Sequence, residues 1–316
     1  MVEHLPKVSL TRSGLQVTPL CIGGGPISSM PDVFGYEVPT ERALQTVRKA
    51  FASPINWIDT AAAYGDGSVE RMIGLVLGEL GGAPDGYVVA TKADRDLKTG
   101  DFSGPQVRRS VFSSMARLGT DHLELVYLHD PHHVSFEEAT APGGALEALL
   151  ALRDEHVIGA VGLAGGGVGL LSQYLDVAQF DVLLTHNHYT LLDRSAKDLI
   201  DKAKSCGTAV VNAAVFGGGV LAKGVAKLPK YGYEPAPQPV LDAVTGMERC
   251  CAKRGVALSA AALQFSTRDP RISSTVVGVS RPNRIDETLA LYQTPLPDEL
   301  WEELEELVPG PQYWLG

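Results

Sequence analysis

Short apolar runs rich in valine and isoleucine recur along the chain at a steady interval. They cover 19–23, 55–59, 87–91, 123–129, 158–163, 181–185, 208–213 and 275–278. Runs of this length and composition predict strands covered on both faces. The stretches between them carry apolar residues three and four apart, the signature of helices packed on one side. Thr40 reads as an N-cap, followed by Glu41, Arg42, Leu44, Val47 and Phe51. Ser68 reads as the next, ahead of Glu70, Met72, Ile73, Leu75, Val76 and Leu80. Pro105 suits the first turn of a third helix that stops at Gly119. Further helices are expected over 144–155, 168–178, 195–205, 240–253 and 282–291.

Eight strands alternating with helices predict an α/β fold, a closed (β/α)8 TIM barrel, as one domain over residues 1–316. An open doubly wound sheet is the alternative. Against it, Gly23-Gly24-Gly25 runs into Pro26 and a loop, and no G-x-G-x-x-G opens a helix after the first strand. Two stretches break the rhythm. Residues 8–18 alternate around Ser13-Gly14, which predicts an N-terminal β-hairpin. A long insertion precedes the last strand, with Pro229, Pro235, Pro237 and Pro239 and helical material on both sides of Gly255. A loop of that length is a candidate lid.

Composition narrows the class. A net charge of −10 offers no global basic field for nucleic acid or anionic lipid. Cys21, Cys206, Cys250 and Cys251 show no CxxC spacing and no neighbouring histidines, so reduced thiols and no metal site are expected. The N-terminal stretch 1–7 has no apolar signal-peptide core, and no apolar run is long enough for a membrane span. A cytoplasmic protein is expected.

The chemistry lies at strand ends. Asp59 follows Ile55-Asn56-Trp57-Ile58, Lys92 follows the run 87–91, and His129 follows 123–128. Tyr64 stands five residues past Asp59. A parallel barrel gathers strand ends on one face, so an acid, a phenol, an amine and an imidazole should meet there. Tyr64 is the expected general acid or base. The Lys92 ammonium should favour the phenolate, Asp59 should hold Lys92, and His129 can donate to the substrate oxygen.

In the run from Asp59-Thr60-Ala61-Ala62-Ala63-Tyr64-Gly65 to Ser68-Val69-Glu70, with Thr91-Lys92 and Leu128-His129, the chain resembles the aldo-keto reductase superfamily over nearly its whole length. The resemblance implies a nicotinamide dinucleotide across the barrel mouth, since none of these side chains can accept a hydride. Val215-Phe216-Gly217-Gly218-Gly219-Val220-Leu221 resembles the loop that faces the pyrophosphate. Gly278-Val279-Ser280-Arg281, continuing through Arg284, Glu287 and Thr288, resembles the adenosine-binding helix start.

Several positions depart from the family pattern. Ala164-Gly165 replaces the frequent Ser-Asn of the carboxamide site, His186 replaces Gln, and Ala213 replaces the stacking Tyr. Gly278 stands where a lysine often meets the 2′-phosphate, which favours NAD over NADP, although Arg281 and Arg284 could grip a phosphate. His129-Asp130-Pro131 and the run from His188-Tyr189-Thr190 to Arg194 resemble the aldose 1-dehydrogenase branch. That branch includes L-fucose, D-threo-aldose and L-galactose dehydrogenases and related pyridoxal dehydrogenases. Tyr64, His129, Asp130 and Tyr36 are the substrate-contact candidates, with an aldose as the implied substrate. The reading is thus an NAD(P)-dependent aldose dehydrogenase, monomeric or homodimeric. Its rivals are an NADPH-dependent carbonyl reductase, a pyridoxal dehydrogenase, and a cofactor-sensing regulatory barrel subunit.

Overall fold

The computed structural model describes residues 4–31, 35–232 and 234–316. The first three residues of the N-terminal stretch read above lie outside them. A hairpin of β1 (Val8–Ser9) and β2 (Gln16–Val17) comes first, turning through Gly14 at φ 87. Eight strands follow: β3 (Leu20–Gly23), β4 (Trp57–Asp59), β5 (Val88–Ala93), β6 (Leu125–His129), β7 (Val161–Gly165), β8 (Val182–His186), β9 (Ala209–Ala213) and β12 (Ile272–Gly278). Parallel pairing runs β3 through β9 in order, and β12 closes the barrel between β9 and β3. The short ladder β10 (Lys230–Tyr231) with β11 (Glu234–Pro235) lies in the long insertion.

The helices alternate with the strands as the periodicity predicts. They begin with α1 (Thr40–Phe51), α2 (Ser68–Leu80), α3 (Gly104–Leu118), α4 (Phe136–Thr140), α5 (Ala145–Asp154) and α6 (Val168–Val177). Then come α7 (Lys197–Ser205), α8 (Val220–Lys223), α9 (Gln238–Lys253), α10 (Leu258–Thr267), α11 (Asn283–Gln293) and α12 (Asp298–Glu305). Two caps differ from expectation. Thr40 and Ser68 are already helical, the N-cap positions belong to Pro39 and Gly67, and neither makes a side-chain cap bond. Ser103 is a true cap, its hydroxyl accepting from the amide of Gln106, and Gly119 ends α3 at φ 71.

Lumenal and outer faces of the strands form one core in which Trp57, Tyr127, Tyr174 and Phe180 are fully buried. A second cluster packs α9, α10 and α12 around Met247, Val244 and Leu300. Close approaches fix helix positions: a Cβ on Gly74 would stand 2.1 Å from the Arg117 carbonyl, where α2 crosses α3. The same contact is braced by fully buried Glu70, which accepts from Arg117 at 2.6 Å and from Thr91 at 2.5 Å.

Candidate active site

The strand register explains why residues far apart in sequence meet. Gly23 pairs with Asp59, Asp59 with Ala90, Lys92 with Tyr127, and His129 with Ala164. Lys92 is two residues past Ala90, and His129 two past Tyr127, a rise of about 6–7 Å each. Because side chains alternate faces with period two, a two-residue stagger keeps every member pointing into the lumen. The row continues through Leu184 to His186, Ala213, Val276 and Gly278, and returns to Gly23. All of these except Ala90 and Tyr127 line one cavity of about 1260 Å³ at the C-terminal ends of the strands. Lys92 sits inside β5 instead of after it, because that strand extends to Ala93.

Lys92 is the buried hub. Its ammonium donates to Asp59 Oδ1 at 2.5 Å, to the Thr60 carbonyl at 2.8 Å and to the Tyr64 hydroxyl at 3.3 Å. Burial alone would lower its pKa, but Asp59 and Tyr64 more than offset that, so it is raised and the ammonium stays charged. Burial pushes the Asp59 carboxyl up against the opposing pull of Lys92. At Tyr64 two effects oppose each other. Lys92 does pull its pKa down, yet burial is the larger effect, and the phenol is pushed up to about 12. In the ligand-free chain it therefore rests protonated.

His129 reaches a partner the sequence reading missed. Its Nδ1 lies 2.5 Å from Asp94 Oδ1, while Nε2 lies 3.7 Å from Asp130 Oδ2. Asp94 follows Lys92 by two residues, so alternation sends it to the same side. That acid just beyond a lumenal lysine was the signal available. Asp130 turns off the strand at φ 43. Tyr36, half-buried, also lines the cavity.

Charge differs between the two ends, with acids mixed with Arg42, Lys92 and Arg95 at one and cations alone at the other among the described residues. The carboxylates on the wall, Glu37, Asp59, Asp94 and Asp130, all come from β3–β6 and the loops after them. The segments after β9 and β12 contribute Lys223, Lys227, Lys230, Arg281 and Arg284 and no acid. Successive Gly217, Gly218 and Gly219 hold φ of 59, 73 and 106, values that few other residues tolerate. Small residues at Gly23, Ala164, Gly165, Ala213 and Gly278 keep the floor low. Asn187 is buried at φ 68; its Nδ2 lies 3.1 Å from His186 Nδ1, and its Oδ1 has no partner. Burial lowers the His186 pKa to about 4, so its ring is neutral at ordinary pH.

These features fit a dinucleotide: cations for a diphosphate, room at the floor for a flat ring, and a buried amide oxygen seeking a donor. Phe216, Gly218, Gly219, Gly278, Ser280, Arg281 and Arg284 line the wall, with Arg284 placed 5.8 Å from the Phe216 ring centroid. Three predicted positions lie off it. Gly217 faces Leu192 and Tyr231, Glu287 binds Arg281 and Arg284 at 3.0 and 3.1 Å, and Thr288 is buried with its hydroxyl on the Arg284 carbonyl. Tyr231 anchors the insertion by its hydroxyl, 3.2 Å from buried Asp193, which leaves Lys227 and Lys230 at the cavity edge. Among the described residues no cluster of His, Cys, Asp and Glu could hold a metal ion, and no helix is long and apolar enough to cross a membrane.

A closed eight-stranded parallel barrel with its polar cluster at the strand C-termini defines the class. Residues 19–309 match the aldo/keto reductase family, and the chain belongs to it. Among its relatives is L-galactose dehydrogenase of Arabidopsis thaliana, 31% identical over 285 residues, which covers 89% of this chain and 86% of the relative. Pyridoxal 4-dehydrogenase of Microbacterium luteolum is 30% identical, with 94% and 96% covered. D-threo-aldose 1-dehydrogenase of a Pseudomonas species is also 30% identical, with 86% and 90% covered. A solved aldo-keto reductase from Bacillus halodurans in its holo form shares the fold, with a TM-score of 0.78 at 21% identity over 99% of both chains. Enzymes of this family are oxidoreductases that use NAD(P)H.

Proposed function

We propose that this chain, acting as one barrel domain, oxidises a free aldose at C1 to the lactone. The observation that carries the reading is the buried chain from Asp59 through Lys92 to Tyr64, with links of 2.5 and 3.3 Å, at the floor of a cavity with a cationic end. A bound nicotinamide dinucleotide supplies the hydride acceptor. Lys223, Lys227, Lys230 and Arg281 would hold its phosphates, and His186 with Asn187 its carboxamide. Tyr64 exchanges the proton at the reacting oxygen, as acid or base according to direction. Lys92 stabilises the phenolate that oxidation requires, and Asp59 keeps the ammonium in place. His129 and Asp130 meet the substrate beside that oxygen, with Tyr36 on the outer wall. The relatives that act on aldoses support this substrate class.

NAD is the proposed cofactor, because Glu287 pairs with both Arg281 and Arg284 and offsets one of the two positive charges that a 2′-phosphate would meet. A panel of free L- and D-aldoses with both cofactors tests the proposal. Lactone formation with NAD⁺ that disappears in Tyr64→Phe, while cofactor binding persists, is expected. Full turnover in that variant refutes it. A second reading starts from the resting state: a phenol pushed up to about 12 keeps its proton at neutral pH, which is the form that carbonyl reduction consumes. The ratio of sugar oxidation to aldehyde reduction at neutral pH separates the two.

A further inference from the structure

We propose that Arg95 binds the end of the sugar remote from C1, its guanidinium donating to adjacent hydroxyl oxygens while Asp130 accepts from a hydroxyl nearer the reacting carbon. The site then takes neutral polyhydroxylated substrates long enough to reach that arginine, in preference to short or carboxylate-bearing ones. This rests on the aldose reading above and adds the residue that recognises the far end of the sugar.

Among the described residues Arg42, Arg95, Arg281 and Arg284 are the arginines on the cavity wall, and all but Arg95 are engaged. Arg281 and Arg284 pair with Glu287, and Arg42 donates to the Glu37 carbonyl. Arg95, half-buried, makes no ion pair or hydrogen bond among the described residues. The acids of its own segment are taken. Asp94 holds His129 Nδ1 and the Ala63 amide, Asp96 accepts from the amides of Lys98 and Thr99, and Asp101 binds Ser103 and Arg109. The backbone on either side is fixed as well. The Asp94 amide donates to Ser110 Oγ at 3.0 Å, its carbonyl accepts from Gln106 at 3.2 Å, and the Asp96 amide donates to the Asp101 carbonyl at 2.8 Å. A guanidinium fork on a rigid base, left without acceptors, is organised in advance to receive oxygens from a ligand.

Its place decides which part of the ligand it meets. In the closed barrel β5 stands directly across from β9, whose following segment carries Lys223, Lys227 and Lys230. A dinucleotide held by those cations leaves Arg95 to the substrate, beyond the reacting oxygen at Tyr64 and His129. Arg95 and Asp130 both act on the His133 ring, with His129 beside them, so these groups border one corner of the mouth. The charge of that corner disfavours an anion. Lys92 is paired with Asp59 and Asp94 with His129, and the other wall acids, Glu37 and Asp130, balance Arg42 and Arg95. A carboxylate would meet repulsion there as well as attraction. Hydroxyls suit both groups, accepting from Arg95 and donating to Asp130. A site built to bind substrate hydroxyls rejects the analogue lacking them, because its polar groups go unpaired.

Two comparisons test this, with Arg95→Leu removing the guanidinium and Arg95→Lys keeping a charge without the fork. For the best neutral aldose of the panel, KM should rise by about tenfold or more in Arg95→Leu, with a smaller change in kcat, and Arg95→Lys should recover part of the loss. The second is the ratio of kcat/KM for reducing xylose over glyceraldehyde, which is too short to span the distance to the guanidinium. That ratio should fall by a similar factor in Arg95→Leu. Equal losses on both aldehydes, or a loss of kcat with KM unmoved, would mark a merely structural role and overturn the proposal. So would a wild type that prefers a uronate to its parent aldose, since the guanidinium would then be reading an anion. If Arg95→Leu does not fold, Arg95→Lys and the wild-type preference between uronate and aldose decide. Failure of every aldose to be oxidised would remove the proposed function, and the xylose-to-glyceraldehyde ratio would still decide the role of Arg95.

Discussion

Replacing Lys92 by methionine separates the electrostatics of the site from its packing. Methionine fills much of the same volume, so the change removes one buried charge. At 3.3 Å the ammonium–phenolate attraction amounts to about 5 kcal/mol at an effective dielectric constant near 20. That corresponds to between three and four pKa units, roughly. Tyr64, already pushed up to about 12, would then give up its proton only at far higher pH. Sugar oxidation at neutral pH should fall by about a thousandfold, and any remaining activity should climb with pH past the wild-type optimum. Stability should suffer as well. Asp59 Oδ1 loses its 2.5 Å partner and Oδ2 has none, which leaves a buried unpaired carboxyl at a cost of about 3–5 kcal/mol. The assays are steady-state kinetics across pH and urea midpoints, with Asp59→Asn/Lys92→Met as companion. The double variant should recover much of the stability and none of the rate. Wild-type turnover in Lys92→Met, or a residual pH profile that has not moved, would refute the assignment of Lys92 to Tyr64.

Further outcomes follow from the same geometry. Glu287→Ala frees Arg281 and Arg284, so affinity for NADP should rise relative to NAD by about tenfold; fluorescence titration with each cofactor checks this, and an unchanged ratio places the 2′-position elsewhere. Tyr64 has its pKa raised from 10.0 to about 12, so the folded chain holds that proton more tightly than the unfolded one. Its contribution to stability is complete below 10.0 and is lost as pH rises through about 12. The gap in urea midpoint between wild type and Tyr64→Phe should shift over that window, and a constant gap counts against it. Gly74→Ala sets a Cβ against the Arg117 carbonyl at 2.1 Å and should cost about 1–3 kcal/mol by thermal unfolding. An unshifted transition would mean that α2 and α3 can part freely.

The periodicity of apolar residues was enough for the barrel, because each strand is covered on both faces and each helix on one, and those patterns are local. The tetrad was legible for the same reason: Asp59, Lys92 and His129 lie where apolar runs end, and strand ends converge in a parallel barrel. Helix starts were less so. Thr40 and Ser68 can cap, but Pro39 and Gly67 hold the cap positions, a choice made by how the chain enters from the preceding loop. The C-terminal helix α12 went unseen because its buried residues, Leu300 and Leu304, face a cluster built from α9 and α10.

What only the tertiary structure decided was pairing between strands. The two-residue stagger that sets Asp59, Lys92 and His129 on one lumenal row is a property of register, which no single strand encodes. So are the contact of Asp94 with His129 and the withdrawal of Glu287 and Thr288 from the cavity wall. The resting state of Tyr64 belongs here too: the sequence placed a cation near a phenol, but whether attraction or desolvation prevails depends on how completely water is excluded, and that is settled only when all eight strands close.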